Sequence, residues 1–144
     1  MTKGRPKQII KNGKKQCSQC KKWFPLIFFK KAKHLSSGRN SRCKECIQRW
    51  EQTPIGIWTY LKRGKKRKIS KEEFSEWYNK QEKRCVYCGQ LPLKERLQVD
   101  RKDNNNGYKI GNMVLACKRC NFIKRDWFSY KEMVKIGKVI KEFK

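Results

Sequence analysis

Eight cysteines stand in four pairs, and two residues separate the cysteines of each pair. This spacing lets both thiolates bind one tetrahedral ion, and two such pairs complete the closed four-thiolate site of structural zinc. Zinc is favoured over disulfides, because eight cysteines allow about 105 pairings and nothing in the sequence indicates secretion. Pairing in chain order predicts two zinc sites per chain, one formed by Cys17, Cys20, Cys43 and Cys46 and the other by Cys85, Cys88, Cys117 and Cys120. Crossed pairing would entangle the two modules.

Between the third and fourth cysteine pairs lies a stretch with the pattern of two short strands. Apolar residues alternate around Val99, and residues 113–116 form an apolar run, so two antiparallel strands are predicted there. The Asn- and Gly-rich segment between them supplies the loop. A helix beginning at the last cysteine pair would project Asn121 and Lys124 from its first turns. The sequence thus predicts a strand-loop-strand-helix unit framed by cysteines.

This unit carries Asp100-Arg101, Asn112 and Asn121, and in these residues it resembles the motif of the HNH (ββα-metal) endonucleases over about residues 85–128. The resemblance implies a small α+β fold, with a ββα-metal core, two four-cysteine zinc modules and flanking helices. It also implies hydrolysis of phosphodiester bonds in double-stranded DNA.

The resemblance extends beyond the core. The module from Cys17 to Cys46, and Trp77-Tyr78 ahead of the third cysteine pair, are similar to those of HNH restriction endonucleases with eight cysteines. Small phage HNH nucleases share many of the same pieces. A restriction enzyme that cuts a palindrome is expected to be a symmetric homodimer making a double-strand break, whereas a phage or homing-type enzyme can nick as a monomer.

The family implies a role for each motif residue. Asp100 and the side-chain carbonyl of Asn121 would hold Mg²⁺ or Mn²⁺, since hard cations prefer oxygen ligands and neutralise charge on a reacting phosphate. Asn112 would tie the loop in place. Where the family usually has a histidine as general base, this chain has Arg101, which cannot accept a proton near neutral pH. Arg101 is therefore expected to clamp the phosphate with its planar set of donors.

The general base must then come from elsewhere. Tyr78 is the first candidate by resemblance, and surrounding cations and metal would favour its phenolate, although a free tyrosine titrates near a pH of about 10. Core packing beside Trp77 and Phe74 is the alternative role. His34, the only histidine, is the second candidate, but its place in the first zinc module favours a DNA contact or plain surface exposure.

The charge of the chain indicates its partner. Lys and Arg number 39 against 12 Asp and Glu, a formal charge of +27, and such a surface repels itself unless a polyanion lies nearby. Nucleic acid is the expected partner. We expect no membrane partner, because the sequence has neither a signal peptide nor an apolar run of membrane-spanning length. A soluble protein of the cytoplasm of a bacterial or phage-infected cell is predicted.

Helix signals organise the rest of the chain. The first cysteine module contains a predicted helix from about residue 42 to 50, and a second helix is predicted from residue 55 to about 62, capped by Gly64. Two capping boxes, Ser70 with Glu73 and Ser129 with Glu132, begin helices at residue 71 and in the last 16 residues. The last helix carries an apolar stripe expected to pack on the core: Met133, Ile136, Val139, Ile140 and Phe143.

Five segments follow from these patterns: a flexible basic arm (1–16), a four-cysteine zinc module (17–52), a helical connector (53–84), the zinc-stapled nuclease core (85–128) and a C-terminal helix (129–144). Within the arm, residues 3–7 resemble an AT-hook, which lays arginine into a narrow minor groove, although a plain electrostatic tail is the alternative. Residues 62–68 form a basic run expected to contact phosphates, and a nuclear-localisation signal is the less favoured alternative.

Two other functions share these features. A zinc protein that only binds nucleic acid would keep the cysteines and the charge without needing Asp100 and Asn121 in register. An RNA-binding or ribosome-associated protein would keep the basic arm, but the sequence has no evident aromatic stacking motif of the RNA-binding modules.

Overall fold

A computed structural model describes residues 9–61, 67–92 and 95–143. The chain forms two compact units, Met1–Thr53 and Pro54–Lys144. The predicted α+β class is confirmed, with elements in the order β1 Ile10–Lys11, β2 Lys14–Gln16, β3 Trp23–Pro25, a 3₁₀ helix Leu26–Phe28, α1 Lys44–Glu51, α2 Pro54–Tyr60, α3 Lys71–Lys80, β4 Gln98–Arg101, β5 Met113–Ala116, α4 Lys118–Lys124 and α5 Tyr130–Glu142. In this part of the chain no helix is long and apolar enough to cross a bilayer.

The first unit begins with a β-hairpin where a flexible arm was predicted. Strands β1 and β2 pair with Ile10 opposite Lys15, and β2 continues the sheet to β3. Asn12 and Gly13 make the turn with φ values of 49° and 69°, the positive values that a two-residue hairpin turn requires. The arm prediction is therefore wrong for residues 10–16, whereas the AT-hook-like segment lies outside the described residues.

The core of the first unit is small and built around the first four cysteines and Phe29, which is fully buried. Lys15 lies in the same interior, with its ammonium 4.7 Å from the Phe29 ring centre and hydrogen-bonded to the backbone carbonyls of Arg39 and Asn40. Helix α1 starts at Lys44, two residues after the predicted start, because Cys43 is its N-cap.

The helices of the second unit pack around one larger core. Pro54 occupies the first position of α2, where its missing N–H costs nothing. Both predicted capping boxes are present, so Ser70 begins α3 and Ser129 begins α5. The predicted Gly64 cap and most of the basic run 62–68 fall outside the described residues. Phe74 and Met133 are fully buried at the centre of this core.

The predicted ββα unit is confirmed in order and position. Strands β4 and β5 pair antiparallel, with Asp100 opposite Val114, and α4 follows directly. All four residues of β5 are buried, so this strand passes through the interior. Cys117 caps α4, and its sulfur accepts the N–H of Cys120 at 3.4 Å.

The apolar stripe on α5 is narrower than predicted. Met133 is fully buried, and Ile136 and Ile140 pack partly against the core, but Val139 is 52% exposed and Phe143 is 83% exposed. Val139 lies about 120° around the helix from Met133, since each residue of an α-helix turns about 100°. Phe143 follows the last helical residue. The prediction that these two side chains belong to the core is therefore wrong.

Gly137 lets α5 approach the third cysteine pair. A Cβ atom at this position would lie 2.3 Å from the carbonyl oxygen of Tyr87, which is part of the backbone between Cys85 and Cys88. We expect Gly137→Ala to lower the free energy of unfolding by about 1–3 kcal/mol, despite the better helix propensity of alanine, because the backbone cannot make room cheaply.

Chemical denaturation measures this effect, and Lys138→Ala is the matched control, because Lys138 is exposed on the same helix. The control should change stability by less than about 0.5 kcal/mol. Equal stability of the two variants would show that α5 does not approach the cysteine turn this closely.

Candidate active site and metal centres

The cysteines form two clusters, grouped in chain order as predicted: Cys17, Cys20, Cys43 and Cys46, and Cys85, Cys88, Cys117 and Cys120. Within each cluster the four sulfur atoms all lie within 4.8 Å of one another. Tetrahedral zinc–thiolate bonds of about 2.3 Å place sulfurs about 3.8 Å apart, so both clusters fit a zinc ion. The 3.9 Å between the sulfurs of Cys88 and Cys117 is the clearest instance.

The thiols of each cluster differ in how readily they ionise. Burial tends to raise the pKa of Cys17, but backbone N–H donors, Cys43 first among them, outweigh it and lower the pKa to about 6. Burial raises the pKa of Cys43 to about 12. In the second cluster, a hydrogen bond from Cys120 lowers the pKa of Cys85 to about 4, and the same contact with burial raises that of Cys120. Four thiolates can coexist in each cluster only around a positive ion.

At the centre of the ββα unit the carboxylate of Asp100 accepts hydrogen bonds from three elements. The Tyr87 hydroxyl donates to Oδ2 at 2.6 Å. Oδ1 accepts hydrogen bonds from the Arg101 backbone N–H at 2.8 Å and from the Lys124 ammonium at 3.4 Å. Asp100 is 7% exposed, so these contacts lie in a largely dry environment. Burial raises the pKa of Tyr87, and the hydrogen bond to Asp100 raises it further, so the hydroxyl remains protonated and donates.

Lys124 connects this carboxylate to the loop after β4. Its side chain is fully buried, and Nζ donates to the Arg101 carbonyl at 2.8 Å and to Asn104 Oδ1 at 3.2 Å. The ammonium therefore meets a carboxylate, a backbone carbonyl and an amide oxygen, which together satisfy its three donors. The carboxylate of Asp100 therefore has a buried ammonium group as a direct partner.

Asn112 holds the opposite end of this loop. Its Nδ2 donates to the carbonyls of Asp103 and Gly107, both at 3.0 Å, and its Oδ1 accepts the N–H of Asp103 at 2.9 Å. The side chain is buried, so these bonds are protected from water. This is the geometry of a residue that ties the loop to the start of β5.

Arg101 has a different arrangement from the one expected. The guanidinium is not free at the surface, because Nη1 donates to the carbonyls of Asn104 at 2.6 Å and Asn106 at 3.3 Å. The residue is 9% exposed, and its guanidinium lies 5.3 Å from the Tyr108 ring centre. Arg101 thus shapes the loop, because loop carbonyls need donors where water is excluded. It also lines the cavity described next, and phosphate contact stays a prediction.

Asp100 and Asn121 line one open cavity of about 390 Å³. Asn121 Nδ2 donates to Gln98 Oε1 at 2.7 Å, which fixes the amide and leaves its oxygen for another partner. The wall is completed by Val99, Arg101, Asn104, Tyr108, Lys118, Phe122, Arg125 and Asp126. A single buried carboxylate with an amide oxygen is a donor set that fits Mg²⁺, which keeps several waters and takes its remaining ligands from phosphate.

The two candidates for the general base lie elsewhere. Tyr78 is half-buried, with its ring 6.0 Å from that of Phe74 and the Lys83 ammonium 4.2 Å away, and it is not among the residues that line the cavity. Burial raises its pKa and Arg96 only partly opposes this, which is contrary to the expected stabilisation of the phenolate. His34 is exposed in a loop of the first unit.

Sequence reasoning missed several contributors to the site. Tyr87 was hidden between the cysteines of a metal-binding pair, and only the fold shows that it faces Asp100. Gln98 could have been found, because alternate residues of a strand share a face and Gln98 is two residues before Asp100. Asp126, just beyond α4, adds a second carboxylate to the cavity. No pattern marked its position.

No protein-family model matches the sequence, and no curated protein matches it. Among solved structures, the chain is similar to the rare-cutting HNH restriction endonuclease PacI. The two share 26% sequence identity with a TM-score of 0.49, and the match covers 89% of this chain and 94% of PacI. PacI belongs to the class that the motif residues resemble.

The cysteine clusters predict the metal content of the purified protein. Elemental analysis should return two zinc ions per chain, because each cluster offers a complete set of four sulfurs. Cys17→Ser should release one of the two ions, and Cys85→Ser should release the other. Ser18→Ala, next to the first cysteine, is the control and should retain both. Folded protein without zinc would contradict the assignment.

Proposed function

We propose that the protein is a magnesium-dependent endonuclease that hydrolyses phosphodiester bonds in double-stranded DNA. The observation that carries this proposal is the shared cavity of Asp100 and Asn121 on a ββα unit, in a chain with a formal charge of +27. The cavity is open, so it can accept a phosphate that remains part of a long polymer. A zinc protein that only binds nucleic acid has no need for a buried carboxylate at the base of such a cavity.

Asp100 and Asn121 would hold Mg²⁺ or Mn²⁺ through oxygen atoms. When bound, the cation would neutralise negative charge on the scissile phosphate and on the leaving oxygen. Within the described residues, the two cysteine clusters are the only groups of three or more His, Cys, Asp or Glu side chains that could share an ion. The Asp100 site would therefore take its other metal ligands from phosphate and water. Such an incomplete protein shell is usual for Mg²⁺ that works on phosphates.

The protein residues keep the carboxylate in place. Tyr87 and Lys124 fix both Asp100 oxygens, so Asp100 needs no reorganisation when substrate arrives. Lys118 and Arg125 add positive charge at the cavity wall, where it attracts the DNA backbone. Arg101 holds the loop between β4 and β5 and presents its remaining donors to the same space.

Tyr78 remains our first candidate for the general base, with His34 second. Neither residue lines the cavity, so the one that acts would reach the attacking water only once DNA is bound. Arg101 cannot take this role, because a guanidinium does not give up its proton. The Lys124 ammonium cannot take it either, since all its donors are bonded within the fold.

The finer properties follow from the resemblance to restriction enzymes. We propose sequence-specific cutting by a homodimer in the cytoplasm of a bacterial or phage-infected cell. The alternative is a monomeric phage or homing-type enzyme that nicks one strand. Ends mapped on DNA of known sequence distinguish the two, because a dimer on a palindrome leaves symmetric double-strand breaks.

Removal of the Asp100 charge should abolish cleavage. Asp100→Asn keeps the shape of the side chain, and we expect the rate of plasmid cleavage in Mg²⁺ to fall about 1000-fold, because an amide binds a hard cation far less well. Nicked and linear products are measured on gels, and binding of the same plasmid without Mg²⁺ should change little. Glu142→Gln is the control and should cleave at the wild-type rate, since Glu142 is an exposed carboxylate that does not line the cavity. Wild-type rates in Asp100→Asn would exclude the metal role.

The role of Tyr78 predicts a pH dependence. Since burial raises the pKa of Tyr78, its phenolate is scarce near neutral pH, and the wild-type cleavage rate should rise steadily with pH above neutrality. Tyr78→Phe keeps the ring and removes the hydroxyl, so its rate should fall about 100-fold and lose this rise. His34→Gln is the comparison. Normal turnover in Tyr78→Phe, with loss in His34→Gln, would move the assignment to His34.

A further inference from the structure

Two aromatic rings and a guanidinium stand exposed at the C-terminal end of α4. Phe122 is 62% exposed and Trp127 is 73% exposed, and Arg125 lies between them in the sequence. We call Phe122, Arg125 and Trp127 the aromatic rim. Large rings cover core in most folded proteins, so exposure of two of them side by side indicates a binding surface.

The guanidinium of Arg125 contacts both rings of the rim. Its central carbon lies 4.0 Å from the ring centre of Phe122 and 5.8 Å from that of Trp127. None of the ion pairs formed by residues 9–61, 67–92 and 95–143 includes Arg125. The rim therefore combines flat apolar faces with a positive charge that has no acidic partner in this part of the protein.

The backbone under the rim is held in an unusual conformation. Arg125 has φ of 38° and ψ of −131°, a region that side chains other than glycine rarely adopt. Two hydrogen bonds fix it there, from Arg125 N–H to the Asn121 carbonyl at 3.1 Å and from Asn104 Nδ2 to the Arg125 carbonyl at 2.7 Å. Asn104 also binds Lys124, so the rim and the Asp100 site share one framework.

The rim adjoins the proposed catalytic cavity. Phe122 and Arg125 line the same cavity as Asp100 and Asn121, and Phe122 is the next residue after Asn121. A polymer whose phosphate lies against Asp100 must place its neighbouring nucleotides near these rings. The occupant of the rim is thus part of the same bound molecule.

The chemistry of the rim selects a nucleobase with a free face. Aromatic side chains bind bases by stacking, and arginine adds a cation–π and phosphate contact. In a paired duplex every base face is covered by its neighbours, so only an unpaired base can stack on a protein ring. A second copy of this chain is a poorer occupant, because Phe122 and Arg125 line the cavity that the DNA itself must enter.

We propose that the aromatic rim binds an unpaired nucleobase next to the scissile phosphate, so that DNA with a bulged base is preferred over perfectly paired DNA. This inference rests on the proposed nuclease function, and it adds the substrate class to it. Phe122 and Trp127 supply the stacking surface, while Arg125 contacts the ring edge or the adjoining phosphate.

The experiment compares two fluorescently labelled DNA duplexes of about 24 base pairs, identical except that one carries a single bulged thymine. Dissociation constants are measured by anisotropy without added Mg²⁺ or Mn²⁺, so binding is separated from hydrolysis. The wild type should bind the bulged duplex about tenfold more tightly. Phe122→Leu/Trp127→Leu should bind both duplexes equally, because it loses the surface that gives the bulged duplex its extra affinity.

Phe143→Leu is the control, because Phe143 is an exposed ring outside the rim, and it should keep the tenfold preference. The leucine variants retain an apolar surface and no buried contact is lost, so folding is unaffected. Equal binding by the wild type, or an undiminished preference in the double variant, would overturn the proposal. So would a change from dimer to monomer in the double variant with the preference intact, since the rings would then bind another copy.

The outcomes separate this inference from the function on which it rests. If the protein cleaves plasmid in Mg²⁺ but shows no preference for the bulged duplex that depends on the two rings, the proposed nuclease function stands and the proposed role of the aromatic rim is wrong. A ring-dependent preference in a protein that never cuts plasmid or bulged duplex would leave the rim as a base-binding surface and refute the nuclease.

Discussion

The buried carboxylate of Asp100 imposes the main constraint on this protein. A negative charge removed from water must be met by donors, and here a tyrosine, a lysine and a backbone N–H supply them. These donors come from the third cysteine pair, from α4 and from β4 itself. Loss of one partner of such a pair costs about 3–5 kcal/mol, so the carboxylate holds the three elements in register.

The elements around Asp100 are held together by more than apolar packing. The second cysteine cluster joins the turn that carries Tyr87 to the start of the helix that carries Lys124. Gly137 lets α5 cover the same turn closely. The chain has a formal charge of +27, and the cysteine clusters and the buried polar contacts add to the stability that its apolar core provides.

Local signals in the sequence predicted much of this fold. Cysteine spacing gave both clusters, and two capping boxes gave the starts of α3 and α5, because each depends on neighbours within a few residues. The Asn12-Gly13 dipeptide is an equally local signal for a hairpin, but the high charge of the surrounding segment favoured the prediction of a flexible arm. By contrast, Tyr87 and Asp100 are 13 residues apart and meet only in the folded structure, so no spacing rule reports their contact. The bonds from Arg101 to the Asn104 and Asn106 carbonyls are local, but they depend on the path of the loop backbone, which no side-chain pattern reports. The exposure of Val139 depends on how much of the surface of α5 the neighbouring elements cover, which the sequence of the helix alone does not show.

Tyr87 lies between two cysteines of the second cluster, so one short turn carries both a pair of candidate zinc ligands and a partner of the carboxylate. With zinc in this cluster, the ion would hold that turn and, through it, the geometry of Asp100. In a nuclease of the kind proposed, activity would then depend on the supply of zinc, and an oxidant that attacks the thiolates would inactivate the enzyme.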